Sequence, residues 1–556
     1  MSPLQQVHRY WETLRHLRPP QIWGRVAHRL HTPHPPQFAP APPRAQPGVW
    51  TFPARRIQSV FGAERFTFLN VQGDLAIDGW DGTEKEKLWR YNQHYFDDLN
   101  AHGWASRAAW HESLITDWIR RNPPAEGTGW ESYPTSLRIV NWIKWSLASG
   151  KADPAFLDSL ATQARWLANR LETHLLGNHL FVNAKALLFA GSYFTGTEAN
   201  TWRRVGSQLL EREIPEQILP DGGQFERSPM YHALAFEDML DLHNLARCFA
   251  DCREDGVHIG IPGGKERLQA MWRWLLIMSH PDGGLSLFND AAADIAPSVQ
   301  ELDTYARRLG LEPPSDTGTA HLQDSGYVRL QSDRAVVLFD AAPVGPDYLP
   351  AHAHADTLSL ELSYAGSRVL VNSGTSLYAE GLERSRQRGT KAHNTVVINE
   401  QDSSEVWGSF RVARRAFPHD VSISLREDTQ QVSASHDGYV RLRGNPVHRR
   451  SVTLTDHGCR IADHIEGSFQ RAQSRFHFHP SAKVSVEPCG SQGECHLPDG
   501  QVLTWRVDGG RAHAEPSTWH PAFGITVPNQ CIELEWSGDH SCFELRWGGS
   551  TDRKIP

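Results

Sequence analysis

The segment Ala351-His352-Ala353-His354-Ala355-Asp356 is followed by Val371-Asn372-Ser373-Gly374-Thr375 and then by Ala392-His393-Asn394-Thr395. Imidazole acts as base, acid or metal ligand near neutral pH, so three histidines and a carboxamide converging from these segments suit either proton transfer or a metal. The run Thr357-Leu358-Ser359-Leu360-Glu361-Leu362 alternates polar and apolar residues, which predicts a strand with Leu358, Leu360 and Leu362 on its buried face. Side chains two apart in extended backbone point the same way, so His352 and His354 share one side of the approach to that strand. The competing explanation is chance: the chain has 29 histidines, and buried histidines are often only hydrogen-bonded core residues.

Earlier in the chain, Gly177-Asn178-His179-Leu180-Phe181 reads as a turn entering an apolar helix. A helix N-terminus favours anions, so Asn178 and His179 suit a carboxylate ligand, and helix capping by Asn178 is the plainer alternative. In Glu226-Arg227-Ser228-Pro229-Met230-Tyr231-His232, Ser228 reads as the N-cap and Pro229 as the first helical residue. Tyr231 then lies in the first turn, either as a general acid or base or as a packing residue with a wet hydroxyl. Trp130, Glu131, Tyr133 and Arg138 combine stacking rings, a carboxylate and a guanidinium, the mixture of a saccharide subsite. A buried Glu131–Arg138 ion pair explains the same residues structurally.

The elements that must position these residues change character along the chain. From about Trp89 to Leu311 the apolar spacing is helical, as in Trp142, Trp145 and Leu147 or Phe236, Leu240 and Leu245. Turns at Gly127-Thr128-Gly129-Trp130, Gly177-Asn178-His179, Pro220-Asp221-Gly222-Gly223 and Pro281-Asp282-Gly283-Gly284 punctuate it at the spacing of one helical hairpin each. Such hairpins bring every second loop to one rim, where binding residues collect. Beyond about Ala320, short alternating runs such as Thr395-Val396-Val397-Ile398 predict an antiparallel sandwich. The expected order is an N-terminal helix and proline-rich strap over 1–60, a helical domain over 61–315 and a β-sandwich over 316–556, an α+β multidomain chain.

A net charge of -8 and a pI near 6.4 give no bulk attraction to nucleic acid or anionic membrane. An acidic polymer would need a local basic cleft, for which Arg384, Arg386 and Arg388 are candidates. The 20 Trp and 12 Tyr suit sugar stacking, although core packing is their commoner use. Seven cysteines show no paired C-x-x-C spacing, leaving at most a small Cys489–Cys495 loop. No run is long and apolar enough to span a membrane, and the first thirty residues lack a signal-peptide core. A cytoplasmic location is therefore expected, with the periplasm as alternative. The chain also lacks a serine-hydrolase elbow, an H-E-x-x-H zinc motif, a P-loop and a Rossmann fingerprint.

Taken in order, Asn178-His179, Ser228-Pro229-Met230-Tyr231-His232, His352-Ala353-His354-Ala355-Asp356 and His393-Asn394-Thr395 resemble the heparinase II/III-like polysaccharide lyases over roughly Trp89 to Pro480. The resemblance implies an incomplete (α/α) toroid followed by an antiparallel β-sandwich, with the cleft between them. It implies β-elimination on a uronic-acid-containing glycan, and hence an acidic polysaccharide as partner. Asn178 would neutralise the uronate carboxylate with His179 beside it. Tyr231 would be acid to the leaving oxygen and, for one stereochemistry, base; His352 would be a second base on the opposite side of the sugar ring. Trp130, Glu131, Arg138 and Arg388 would contact substrate. The family's His, Asp, His metal pattern falls on His354, Asn372 and His393, with Asn in place of Asp, a poorer zinc ligand. The implied cofactor is a structural divalent metal, zinc or calcium, with no organic cofactor.

The absence of a visible export signal turns the expectation toward a bacterial exopolysaccharide or capsule. Two other functions fit parts of the sequence. One is a glycoside hydrolase using a pair among Glu131, Asp221 and Glu226; the other is a non-catalytic glycan-binding protein of polysaccharide biosynthesis.

Overall fold

The computed structural model describes residues 3–30, 32–45, 48–250 and 261–548. Helices Ala108–Arg121, Ser132–Ser149, Pro154–Ala168, Gly177–Tyr193, Gly196–Gln217, Pro229–Cys248, Gly264–Ile277 and Val299–Arg308 form the first half. Their shared core holds Trp118, Trp130, Trp142, Trp145, Trp166 and Trp272. The tryptophan excess thus packs the helical core, where each large ring removes much apolar area from water. Asp153 and Ser228 cap their helices by accepting from Phe156 N and Tyr231 N, each followed by proline at the first helical position.

A small two-stranded sheet, Arg65–Phe68 with Val71–Asp74, precedes these helices; the last of them ends at Arg308, and the larger sheets begin at Ala320. An eight-stranded sheet, a four-stranded sheet and a five-stranded sheet follow, and every pairing within them is antiparallel. The five-stranded sheet runs Ala320–Leu322, Tyr327–Gln331, Ala335–Asp340, Leu360–Tyr364 and Ser367–Leu370, and it meets the helical half.

The predicted strand from Thr357 starts later, at Leu360, because Leu358 takes a left-handed φ of 61° in the preceding turn. Leu358, Leu360 and Leu362 do lie in the sandwich core. The polar positions between them are not solvated, however. Glu361 and Ser363 are buried against the helical half, where His280 places Nε2 at 2.5 Å from Glu361 and Nδ1 at 2.7 Å from Ser363. The alternation encodes a strand between an apolar core and a hydrogen-bonded seam.

Cys489 is exposed and Cys495 buried, both as free thiols, so the small disulfide loop is absent; Cys252 lies outside the described residues. Among the described residues no helix is long and apolar enough to cross a membrane.

Two fully buried histidines brace the helical half in neutral form. His94 accepts from Trp118 Nε1 at 3.0 Å, and His232 contacts Gln224 N and Met271 O. Burial lowers both to about 3 from 6.5. Between those values the unfolded chain binds more protons than the folded one, so stability falls as pH drops through that window. Lowering the pH from neutral to about 5 should cost about 2 kcal/mol per histidine. Denaturant unfolding at both pH values checks this; equal stability would contradict it.

Candidate active site at the seam

Tyr231, in the first turn of Pro229–Cys248, and His352, from the loop before Leu360–Tyr364, meet across the seam. Their rings stack with centroids 3.9 Å apart and planes at 28°. No sugar ring fits between groups in van der Waals contact. The expected arrangement, with a sugar ring between the two, is therefore not the one this conformation presents. The Tyr231 hydroxyl is 3.1 Å from that of Tyr378. Burial, reinforced by Tyr378, pushes the Tyr231 phenol well above its ordinary range and keeps it protonated.

Asp290 organises the histidines. Its Oδ2 receives His352 Nδ1 at 3.0 Å and its Oδ1 receives His354 Nε2 at 2.9 Å, while Arg384 donates to both oxygens at 2.5 and 2.7 Å. Burial opposes the carboxylate, but Arg384 and the two imidazoles hold Asp290 well below the usual range. The backbone joins in: Asp290 N donates to His352 O at 2.9 Å, and Ser228 Oγ donates to Asp290 O at 2.6 Å. Nδ1 of His352 is engaged by Asp290, which leaves Nε2 as its other ring nitrogen, 3.6 Å from Glu226. His352 and His354 thus share one side, as the sequence predicts, but what they converge on is a carboxylate.

Asp290 and Glu226 follow equivalent turns. Pro220-Asp221-Gly222-Gly223 and Pro281-Asp282-Gly283-Gly284 each have the aspartate accepting from the second glycine's N–H, at 2.9 and 2.8 Å. The repeated P-D-G-G was the signal by which Asn289-Asp290 could be found. Tyr378 had no comparable signal, since only the folded chain brings it to Tyr231.

Asn178 does not cap its helix: Leu176 occupies the cap position and Gly177 the first turn, with φ of 64° and 51°. Its amide is left to donate to Tyr133 Oη at 3.2 Å. A Cβ at position 177 would sit 2.3 Å from Leu349 Cδ2 and 3.5 Å from Glu226 Oε1, so glycine lets the His352 loop and Glu226 close on this turn. His179 lies against Tyr133, ring centroids 4.5 Å apart, and pairs with Glu172 at 3.1 Å. Burial disfavours its charged form, but Glu172 prevails and raises its pKa.

Several expected substrate contacts are structural. Trp130 is buried, its Nε1 donating to Asn122 O. Arg138 is buried over the Trp118 ring at 3.8 Å and bonds Gln163, so neither a sugar contact nor an ion pair with Glu131 exists. Glu131 instead pairs with Lys87 at 2.9 Å and Tyr91 at 2.5 Å. Arg388 is buried and donates to Ala353 O at 2.9 Å and Gly408 O at 3.1 Å, bracing the histidine loop. Arg386 pairs with Glu383, so the expected arginine patch is engaged internally. Of the hydrolase carboxylates, Asp221 is tied to Ser325 N and Oγ.

His354 Nδ1 and His393 Nε2 face each other at 3.3 Å, and burial lowers both imidazoles, to about 4 and about 3. Tetrahedral zinc with bonds of about 2.0–2.1 Å separates its nitrogen ligands by about 3.3 Å. The carboxylate within reach of both rings is Asp356. Asn372 Oδ1 lies 3.3 Å from His393 Nδ1, on the far side of that ring, and its Nδ2 has no partner. Burial raises the Asp356 pKa, a cost a cation would relieve. This donor set fits zinc and not calcium, which takes oxygen ligands.

Residues 62–308 match the family described as Heparinase II/III N-terminus, and residues 314–548 that described as Heparinase II/III-like, C-terminal. The chain belongs to the heparinase II/III-like family. It is similar to the heparin-sulfate lyase of Pedobacter heparinus, 24% identical over 321 residues, 52% of this chain and 47% of that protein. It is also similar to that of Bacteroides stercoris, 24% identical over 474 residues, 74% of this chain and 66% of that protein. The matched region thus spans less than two thirds of either relative. Among solved structures, Heparinase III aligns with a TM-score of 0.69 at 18% identity over 86% of this chain and 81% of that one. A heparan sulfate lyase from Pedobacter heparinus aligns at 0.57 and 18%, over 88% and 82%. The incomplete (α/α) toroid followed by an antiparallel β-sandwich is therefore the fold.

Replacing Asp290 by Asn leaves Arg384 buried without its counter-charge. Stability should fall by about 3–5 kcal/mol, read by urea unfolding. A loss below about 1 kcal/mol would show that the pair does not organise the site.

Proposed function

We propose that the protein is a polysaccharide lyase that cleaves a uronic-acid-containing glycan by β-elimination. The stacked Tyr231–His352 pair, backed by Asp290 and Tyr378, carries this reading. In the reaction a base removes the proton on the carbon bearing the carboxylate, the bond to the leaving oxygen two atoms away breaks, and an acid protonates that oxygen. The products are an unsaturated uronate and a free hydroxyl. His352, with Nδ1 held by Asp290, is suited to take the proton on Nε2, and the Glu226 and Asp290 carboxylates flank the imidazolium that results. Tyr231, held as a phenol, is suited to donate to the leaving oxygen. On this reading the Asn178 amide, whose nearest partner is Tyr133 Oη, binds the uronate carboxylate as enolate-like charge develops.

For the substrate we infer a glycan of the heparan type with few sulfates. The names of the relatives favour heparan over the capsular polymer expected from the sequence. Low sulfation follows from Arg138, Arg384 and Arg388, which are committed to internal partners and cannot neutralise sulfates. Zinc on His354, His393 and Asp356 would brace the His352 loop from behind and take no part in bond making.

Ultraviolet absorbance of the unsaturated product should rise with low-sulfate heparan. Tyr231→Phe should lower the rate by about 10²–10⁴-fold and Asn178→Ala by about 10²–10³-fold. Reducing ends without absorbance would indicate a hydrolase, and activity on capsular glycans alone would overturn the substrate assignment. Elemental analysis should find about one zinc per chain, lost in His393→Ala; a metal-free wild type would refute the zinc site.

A further inference from the structure

The first two helices, Pro3–Leu14 and Pro19–Leu30, are amphipathic but turned outward. Leu4, Val7, Trp11 and Leu14 share one face of the first, and Ile22, Trp23, Val26 and Leu30 one face of the second, by helical spacing. These apolar faces point to solvent: Leu4 is 83%, Trp11 63%, Trp23 72% and Leu30 82% exposed. The contacts with the body are made by the other face. Thr13 Oγ1 accepts from Trp407 Nε1 at 3.1 Å, Gln21 donates to Tyr348 O at 3.0 Å, and Arg18 pairs with Glu216 at 2.6 Å. Gly24 lies close against His174, where a Cβ would come within 2.8 Å. A helix normally buries its apolar stripe, so this inversion marks a surface built for a partner.

The charge of the hairpin says what kind. Residues 3–30 contain Arg9, Arg15, Arg18, Arg25 and Arg29 against Glu12 as the one acidic residue, in a chain of net charge -8. Arg15, Arg25 and Arg29 are exposed beside the apolar stripes. We propose that this hairpin docks the protein on an anionic lipid surface, with Trp11, Trp23 and the aliphatic stripe entering the interface and the arginines meeting headgroups. An apolar face with tryptophan, fringed by arginine, is the composition of a helix lying in a membrane interface. A second copy fits less well, because two such faces would set arginine fringe against arginine fringe. Tyr348 and Trp407, which hold the hairpin, belong to the loops around the histidine segment: Tyr348 precedes His352 by four residues, and Trp407 O lies within 3.5 Å of Arg388. Docking there orients the cleft side of the molecule toward the surface, whatever its substrate.

The test is flotation of the purified full chain with vesicles of phosphatidylglycerol and phosphatidylcholine, against phosphatidylcholine alone. Binding is expected with the anionic vesicles and should weaken with salt. Trp11→Ser/Trp23→Ser and, separately, Arg25→Glu/Arg29→Glu should each lower the bound fraction at least about tenfold without changing the unfolding temperature, since these side chains are exposed. Absence of phosphatidylglycerol-dependent binding, or binding indifferent to both variants, would overturn the proposal. So would a dimer that the tryptophan changes dissociate in a protein that ignores vesicles. The assay needs no catalysis, so its outcome is separable from that of the lyase assignment.

Discussion

The site depends on one buried ion pair, Asp290 with Arg384. A carboxylate with no solvent exposure is stable only because a guanidinium meets it with two hydrogen bonds, and once ionised it has acceptors for other donors. Those acceptors select the tautomers of two neighbouring histidines in opposite senses. His352 gives its Nδ1–H and keeps Nε2 for the cleft; His354 gives its Nε2–H and keeps Nδ1 for His393. One carboxylate thereby orients the two rings of a His-x-His pair in opposite senses.

The same residue links the halves through the backbone, since Asp290 N donates to His352 O, while Ser228, which caps the Tyr231 helix, donates to Asp290 O. The seam holds buried polar groups beside an apolar patch in which Trp274, Ile277 and Phe288 pack with Leu322, Tyr327 and Leu338. His280, Glu361 and Ser363 satisfy one another there with no exposure, as burial of such groups requires. Directional bonds fix the halves in register more narrowly than apolar packing does, which suits a centre assembled from both.

Much of this was legible. Ser228, Pro229 and the run into Tyr231 obey helix-start rules that act locally, so their geometry followed from the sequence. The change from helical to alternating apolar spacing separated the two halves because each period reports a single element. Partner choice was not legible. Arg138, Arg388 and Trp130 have the side chains of sugar contacts, yet each is buried against groups distant in sequence, and composition alone cannot separate a binding arginine from a bracing one. Position 372 was read as a ligand from its place in a pattern, whereas Asp356, a few residues from His354, is the carboxylate that folding brings to the imidazoles. The alternation around Glu361 reports two faces and not what covers the second, which is the helical half.

The contact between Gly177 and Leu349 couples binding to chemistry in a simple mechanical way. The leucine methyl occupies space that any side chain at position 177 would need, so the turn carrying Asn178 and the loop leading to His352 are keyed to each other like two teeth of a clasp. The positions of Asn178 and of the segment leading to His352 are therefore set together, and a bulkier residue at position 177 would displace both.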